Sequence, residues 1–363
     1  MYKGKLVIDM HGHLSTPPHF RAHALNLVAL RTPGDALLLP EAAMKAAQDR
    51  HLKMLDERNI DVQFISPRPV AMLHWERPFI VHDWTKVTNN IIADNCRAYP
   101  KRFAGIAQLP QTRFEGCAHC VAEMRRCVEE LGFVGALVNP DPGADGQTPG
   151  MDDAYWYPLY EAAEKLNCTL VVHPSISRDP RIEKIPHSYQ FNNLSEETLA
   201  TMLLENSDVF ERFPKLRIVI CHCGGALRRL LEADDQVDAV AAAHGRDNRV
   251  TKSGQQAGGQ VGLATKEKDV IRRDLSQNLF FDTCAYDPYL LSGAIHQRGP
   301  DRMVFGTEVP GSGSALLNPQ TNKPSDDVLA MLESFDFLTD DDRLKIVHDN
   351  PRRMFPLFQD SRL

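Results

Sequence analysis

Short apolar runs alternate with longer amphipathic stretches along most of the chain. The runs are rich in Val, Ile, Leu and Phe, whereas apolar residues recur at helical spacing in the stretches between them. This alternation is typical of βαβ units and a parallel sheet. Eight runs are predicted to be strands: 6–10, 62–66, 103–108, 135–139, 169–173, 217–222, 279–282 and 303–307.

Helical spacing is clearest in five stretches: 84–99, 115–131, 153–166, 196–205 and 226–243. Eight strands joined by helical crossovers favour a closed (β/α)8 barrel over an open sheet. An open sheet of this size more often carries a Gly-rich phosphate loop after its first strand, where this chain has His-Gly-His. All 363 residues are therefore predicted to form a single TIM-like barrel domain of the α/β class.

Two stretches interrupt the alternation, one after strand 1 and one after strand 6. Residues 14–50 are too many for a simple strand-to-helix loop, so we expect a lid or a wall of the active site there. Residues 246–268 are rich in Gly, Gln and charge, which predicts a mobile surface insertion.

Candidate ligands follow four of the predicted strands. His11 and His13 follow the first strand, His173 ends the fifth, His222 ends the sixth, and Glu308 follows the eighth. The carboxyl ends of barrel strands share one face, so these side chains are expected to converge. A lone His at a strand end is usually structural, but four such segments together favour a metal site. Imidazole and carboxylate ligands suit Zn²⁺, with Mn²⁺ or Fe²⁺ as alternatives.

Composition excludes several classes of function. The net charge is −7 and the basic residues are scattered, so no nucleic acid partner is expected. The apolar runs fall short of the ~20 residues of a membrane span, and eight cysteines without a signal peptide predict a cytoplasmic protein. Cys117 and Cys120 form a CxxC pair, but their helical spacing with Met124 and Cys127 favours buried side chains over a zinc site.

Five motifs, VIDMHGHL, VVHPS, IVICHCGG, MVFGTE and HDNPRRMF, resemble the amidohydrolase superfamily, in the branch of aminocarboxymuconate-semialdehyde decarboxylase and its relatives. The resemblance spans nearly the whole chain and implies a homo-oligomer. It also implies that His11, His13, His173 and Glu308 bind a divalent metal. Binuclear members carry a carboxylated Lys or a Glu after strand 4, where this chain has Asn139, so one metal ion is expected.

The strand-8 motif departs from the decarboxylases of this branch, which carry Asp where this chain has Glu308. Glu308 and the Gly-Ser-Gly that follows it resemble the 4-oxalomesaconate hydratases, which add water to a tricarboxylate in protocatechuate and gallate breakdown. The resemblance implies a hydro-lyase with His222 as the acid/base residue beside the metal. Glu308 would then take a proton from water activated by the metal, and His222 would exchange the proton at the α-carbon.

A small anionic carboxylate substrate requires cations near the metal. Arg68 lies between two prolines after strand 2, and Arg229 follows His222. The planar guanidinium of Arg pairs with both oxygens of a carboxylate, so both residues are predicted to bind the substrate. Tyr189, in the loop after strand 5, is predicted to donate a hydrogen bond to the substrate. The other cations after strands 5 and 6 are Arg178, Arg181, Lys184 and Arg228.

Three alternatives to a hydratase stay open at this point. A non-oxidative decarboxylase of an aromatic or muconate-like acid needs the same metal ligands, and Glu308 is the feature that discriminates against it. A lactone or amide hydrolase of the same superfamily is a further candidate. A metal-binding scaffold without catalysis is the last, but such a protein has no need of an additional His at position 222.

Overall fold

Each of the eight apolar runs forms a parallel strand in the computed structural model of the protein, which describes residues 1–30, 39–225 and 277–359. The strands pair with their neighbours in chain order, from first to last. They are β1 (Ile8–His13), β2 (Val62–Ser66), β3 (Phe103–Gln108), β4 (Gly135–Val138), β5 (Thr169–Val172), β6 (Ile218–Ile220), β7 (Leu279–Asp282) and β8 (Met303–Val304). The predicted (β/α)8 barrel is confirmed.

Helices alternate with these strands along the chain. They are α1 (Pro18–Val28), α2 (Glu41–Glu57), α3 (Pro78–Ala98), α4 (Cys120–Glu129), α5 (Tyr157–Leu166), α6 (Ser188–Glu205), α7 (Val209–Arg212), α8 (Pro288–Arg298), α9 (Val328–Glu333), α10 (Asp340–Leu344) and α11 (Asn350–Met354). In the described ranges, no helix is long and apolar enough to cross a membrane.

The two predicted insertions are only partly described. The stretch 14–50 contains α1 and the beginning of α2, and its residues 31–38 lie outside the described part. Its role as a lid stays a prediction. The helix predicted at 226–243 and the insertion predicted at 246–268 both lie outside the described residues.

Alternate strand residues supply two apolar layers. Val171 and Val219 belong to one cluster together with Phe355, whereas Leu170 and Ile218 belong to a second cluster that also includes helix residues. This division follows from the two-residue period of a strand, because successive side chains point to opposite faces of the barrel wall. The barrel is therefore packed with side chains, and polar groups are concentrated at the strand ends.

The barrel closes where β1 meets the segment that follows β8. The Met10 amide donates to the carbonyl of Phe305 at 2.9 Å. The buried carboxylate of Asp9 accepts hydrogen bonds from the Thr307 hydroxyl (2.6 Å) and the Gln63 amide (2.7 Å). Because β1 is held from both sides, the two histidines at its end have a fixed position.

The strand ends depart from the predicted bounds in ways that affect the site. β1 extends to His13, past the predicted end at position 10. Gly12 makes this possible, since a Cβ there would lie 2.0 Å from the side chain of Gln63. The strands predicted to end at positions 222 and 307 instead end at Ile220 and Val304. His222 therefore begins a short 3-10 helix (His222–Gly224), and Glu308 lies in the irregular segment after β8.

Candidate active site

Three histidines converge at the carboxyl end of the barrel. His11 and His13 lie on β1, and His173 directly follows β5. The ring centroid of His11 lies 5.1 Å from those of both His13 and His173, and each of the three residues is only 2% exposed. The structure thus brings together the three imidazoles that the sequence singled out.

The orientation of each ring is fixed through its Nδ1 atom. Each Nδ1 has a hydrogen-bond partner: Asp282 for His11 (2.6 Å), Ser66 for His13 (2.9 Å) and the carbonyl of Pro174 for His173 (2.7 Å). The Nε2 atoms of all three rings are buried and have no hydrogen-bond partner among the described residues. In metal-binding histidines, the ring nitrogen that does not bind the metal usually forms a hydrogen bond of this kind.

The chemistry of this donor set fits a divalent metal ion. Burial lowers the pKa of His13 to about 4 and holds that of His173 well below its usual range, so both rings are neutral and their Nε2 lone pairs are available. A buried polar atom without a partner costs about 1–3 kcal/mol. The Oε1 atom of Glu308 lies 3.6 Å from the Nε2 atom of His13, which adds a carboxylate to the three nitrogens.

Glu308 spans the distance between the histidine cluster and His222. Its Oε2 atom lies 3.9 Å from the Nε2 atom of His222 and accepts a hydrogen bond from the Tyr286 hydroxyl at 2.7 Å. Burial by itself raises the pKa of Glu308, but the interactions with His13 and His222 hold it well below its usual range. The carboxylate is therefore ionised at neutral pH.

Both candidate acid/base residues have a left-handed backbone. The φ angle is 61° at Glu308 and 46° at His222. Residues with side chains adopt this region at a cost of about 1–3 kcal/mol each, and such residues cluster at functional sites. The left-handed backbone at these two residues thus directs their side chains differently from those of a regular strand end.

A buried carboxylate supports His222. The Nδ1 atom of His222 lies 2.7 Å from the Oε1 atom of Glu197 on α6. Burial by itself lowers the pKa of His222, but the carboxylates of Glu197, Glu308 and Asp282 outweigh it and raise that pKa to about 10. Glu197 therefore fixes the ring with Nε2 facing Glu308 and favours its protonated form.

The residues predicted to bind the substrate differ in their position relative to the cavity beside His222 and Glu308. Tyr189 lines a cavity of about 130 Å³ together with His222, Tyr286 and Glu308. Arg68 lies outside that lining, where its guanidinium donates to the carbonyl of Pro310 at 2.9 Å and its charge interacts with that of Glu308. Arg229 and Arg228 lie outside the described residues. Of the remaining cations, Arg181 forms an exposed ion pair with Asp179.

Three residues of the site were missed by the sequence analysis. Asp282 ends β7 and holds His11, so the rule that found the histidines applies to it as well. Tyr286 lies four residues further along the chain, and Glu197 comes from the middle of a helix. Neither Tyr286 nor Glu197 directly follows a predicted strand, so the rule based on strand ends does not identify them.

Comparisons with known proteins identify the family of this chain. The sequence matches the amidohydrolase family over residues 8–357. The chain belongs to this family. A 2-keto-4-carboxy-3-hexenedioate hydratase from Sphingobium sp. strain SYK-6 is 31% identical over 97% of this amidohydrolase and 96% of that protein. Other relatives are decarboxylases, including 2-amino-3-carboxymuconate-6-semialdehyde decarboxylase, which confirms the expected branch.

Solved structures share the fold of this amidohydrolase. A 4-oxalomesaconate hydratase from Rhodopseudomonas palustris superposes with a TM-score of 0.77 at 24% identity, covering 97% of this chain and 96% of that chain. A dihydroxybenzoic acid decarboxylase from Polaromonas sp. JS666, solved with bound manganese and 2-nitroresorcinol, has a TM-score of 0.61 at 21% identity. That match covers 100% of this chain and 99% of the other.

The histidine cluster predicts how metal content depends on single residues. His11→Ala and His173→Ala should each lose most of a single tightly bound divalent metal, because each removes one of the converging Nε2 atoms. Elemental analysis of the purified variants measures this. His296→Ala, which removes an imidazole from α8, should keep the metal. Full metal content in His173→Ala would contradict the assignment.

The contact between Glu197 and His222 predicts a change in pH dependence. Glu197→Gln keeps the hydrogen bond but removes a charge that raises the pKa of His222, so this pKa should fall. If protonated His222 is required, the alkaline limb of the kcat profile should move to lower pH. The control is Glu196→Gln, because Glu196 is next to Glu197 in the sequence but lines a different cavity. An unmoved alkaline limb in Glu197→Gln would show that Glu197 does not act through His222.

Proposed function

We propose that this amidohydrolase is a metal-dependent hydratase that adds water to an unsaturated oxo-tricarboxylate of the 4-oxalomesaconate type. The observation that carries this proposal is the pair of proton carriers on one cavity. Glu308 and His222 both line it, with 3.9 Å between the Oε2 and Nε2 atoms. Addition of water to a double bond requires a base for the water and an acid for the carbon, and this pair supplies both.

The metal would be held by His11, His13, His173 and Glu308. When bound, such an ion supplies a Lewis acid that makes water a stronger nucleophile at neutral pH. Zn²⁺ is our first choice because nitrogen and carboxylate ligands suit it, and Mn²⁺ or Fe²⁺ are the alternatives. The manganese in the Polaromonas decarboxylase supports a divalent ion of this class.

The protein groups take one proton from the water and supply another proton to the substrate. Glu308, ionised and oriented by Tyr286, accepts one proton as the water oxygen bonds to the β-carbon of the enone. His222 donates a proton to the α-carbon, where negative charge develops as the double bond is lost. The proton on Glu308 then returns to the Nε2 atom of His222, which lies 3.9 Å from the Oε2 atom, directly or through solvent. The net change is therefore the addition of one water molecule, with hydroxyl on the β-carbon and hydrogen on the α-carbon.

The hydratase from Sphingobium supports the substrate class. Its name describes a keto group conjugated to a double bond and three carboxylates. Three negative charges on the substrate require cations in the site. Arg68 is our candidate because it follows the end of β2 closely and its charge interacts with that of Glu308. Its guanidinium contacts the Pro310 carbonyl and leaves donors for a carboxylate.

A non-oxidative decarboxylase is the second candidate, favoured by the decarboxylases among the relatives. Decarboxylation needs a proton at the carbon that loses carbon dioxide, so His222 alone would serve as the donor. In that reaction Glu308 would serve as a metal ligand and would not need to move a proton. The position of the Glu308 carboxylate beside His222 therefore favours hydration.

Charge recognition generates a prediction for Arg68. Arg68→Met should raise KM by about 10- to 100-fold, because one substrate carboxylate loses a charged hydrogen-bond partner. Metal content and Tm should stay unchanged. Arg125→Met, which removes an exposed Arg of α4 that pairs with Glu129, is the matched control. A KM equal to that of the wild type would remove Arg68 from the substrate site.

The products separate hydration from decarboxylation. In D₂O, the wild-type enzyme incubated with 4-oxalomesaconate should place deuterium on the α-carbon and hydroxyl on the β-carbon, as followed by NMR. Glu308→Gln should lower turnover by about 10²- to 10⁴-fold, the usual contribution of a positioned base. Carbon dioxide release without a hydroxylated product, from this substrate or from aromatic acids, would establish the decarboxylase instead.

A further inference from the structure

A second cluster of metal-ligating side chains lies at the same end of the barrel, apart from the histidines described above. His82 lies in the first turns of α3, and Glu115 and His119 lie in the loop between β3 and α4. The Nε2 atom of His82 is 2.9 Å from the Oε2 atom of Glu115, and the Nε2 atom of His119 is 3.6 Å from the same oxygen. The two imidazoles stack with 5.2 Å between their centroids.

We propose that His82, Glu115 and His119 form a second site for a divalent metal ion such as Zn²⁺, weaker than the barrel site. In a tetrahedral zinc site, bonds of about 2.0–2.1 Å place neighbouring ligand atoms roughly 3.3 Å apart. The separations of 2.9 and 3.6 Å lie on either side of that value. All three ligand atoms lie within 4.8 Å of one another, so side-chain shifts can bring them to the separations of a metal site.

The charge of Glu115 and the hydrogen bonding of His119 are relevant to metal binding. Interaction with His82 lowers the pKa of Glu115, so its carboxylate is anionic. The Nδ1 atom of His119 contacts the carbonyl of Gly116, which orients the ring in the manner of a supported metal ligand. Its Nε2 atom also contacts the carbonyl of Pro110 at 2.6 Å. Both ring nitrogens can donate to these carbonyls only in the protonated ring, so a metal ion that binds Nε2 must displace both the Nε2 proton and the Pro110 contact.

A nearby thiol does not complete the set. The Sγ atom of Cys120 lies 3.7 Å from the Nε2 atom of His119, but burial raises the pKa of this thiol well above its usual value. A neutral thiol is a poor metal ligand. Three ligands remain, and the side chains of His82, Glu115 and His119 are 36%, 37% and 22% exposed. Glu115 also lines a cavity of about 280 Å³, so an ion can reach it from solvent.

The same residues allow a second explanation, in which a protonated imidazole simply pairs with Glu115. Exposed pairs of this kind are common and contribute little. The two explanations differ in whether an added metal ion binds. Because the ligands are partly solvated, we expect the second ion to bind reversibly and more weakly than the first.

The test is metal binding by the full-length protein with its barrel site loaded. The protein is dialysed against a series of buffered free Zn²⁺ concentrations, and zinc per chain is measured by elemental analysis. A second equivalent should bind to the wild type. His82→Ala and His119→Ala should each weaken that equivalent by at least about tenfold, a loss that even supporting residues can cause. Both variants should retain the first equivalent.

The controls separate the two sites. His19→Ala, which removes an exposed imidazole from α1, should leave both equivalents in place. His173→Ala should lose the first equivalent and keep the second. If a variant lowers the Tm, Glu115→Gln tests the same site with a side chain of equal size. Saturation at one equivalent in the wild type, or an unchanged second equivalent in the folded variants, would overturn the proposal.

Discussion

Three ring nitrogens that face each other in a buried space impose the main constraint on this structure. The Nε2 atoms of His11, His13 and His173 have no hydrogen-bond partner in the described part of the chain, although the three residues are almost completely buried. At about 1–3 kcal/mol each, such groups are a substantial fraction of the stability of an ordinary domain. A shared ligand for the three lone pairs would remove this cost and would account for the way the rings face one another.

The rest of the barrel mouth keeps those nitrogens in position. The Nδ1 atom of His11 is held by Asp282 on β7. The strand that carries His11 and His13 is fixed by Asp9, whose buried carboxylate binds side chains on β2 and after β8. Only a closed barrel brings these strand ends to one point, so the site depends on the complete ring of eight strands.

The residues that could be predicted from the sequence are those at the ends of apolar runs. His173 and His222 follow continuous hydrophobic segments, and the shared end of parallel strands implies that their side chains meet. Glu197 could not be found in this way, because its contact with His222 depends on how α6 packs over the barrel mouth. The left-handed conformations of His222 and Glu308 were also beyond prediction, since no local pattern marks a left-handed residue that carries a large side chain.

The function of the histidine cluster is tested most directly by the position at which a metal ion binds. Crystals of the metal-loaded protein, measured at the absorption edge of the ion, would show its position as an anomalous peak. We expect the strongest peak to lie among the Nε2 atoms of His11, His13 and His173, with the Glu308 carboxylate beside it. A strongest peak elsewhere, or bonds to the Nδ1 atoms of these rings, would contradict the account.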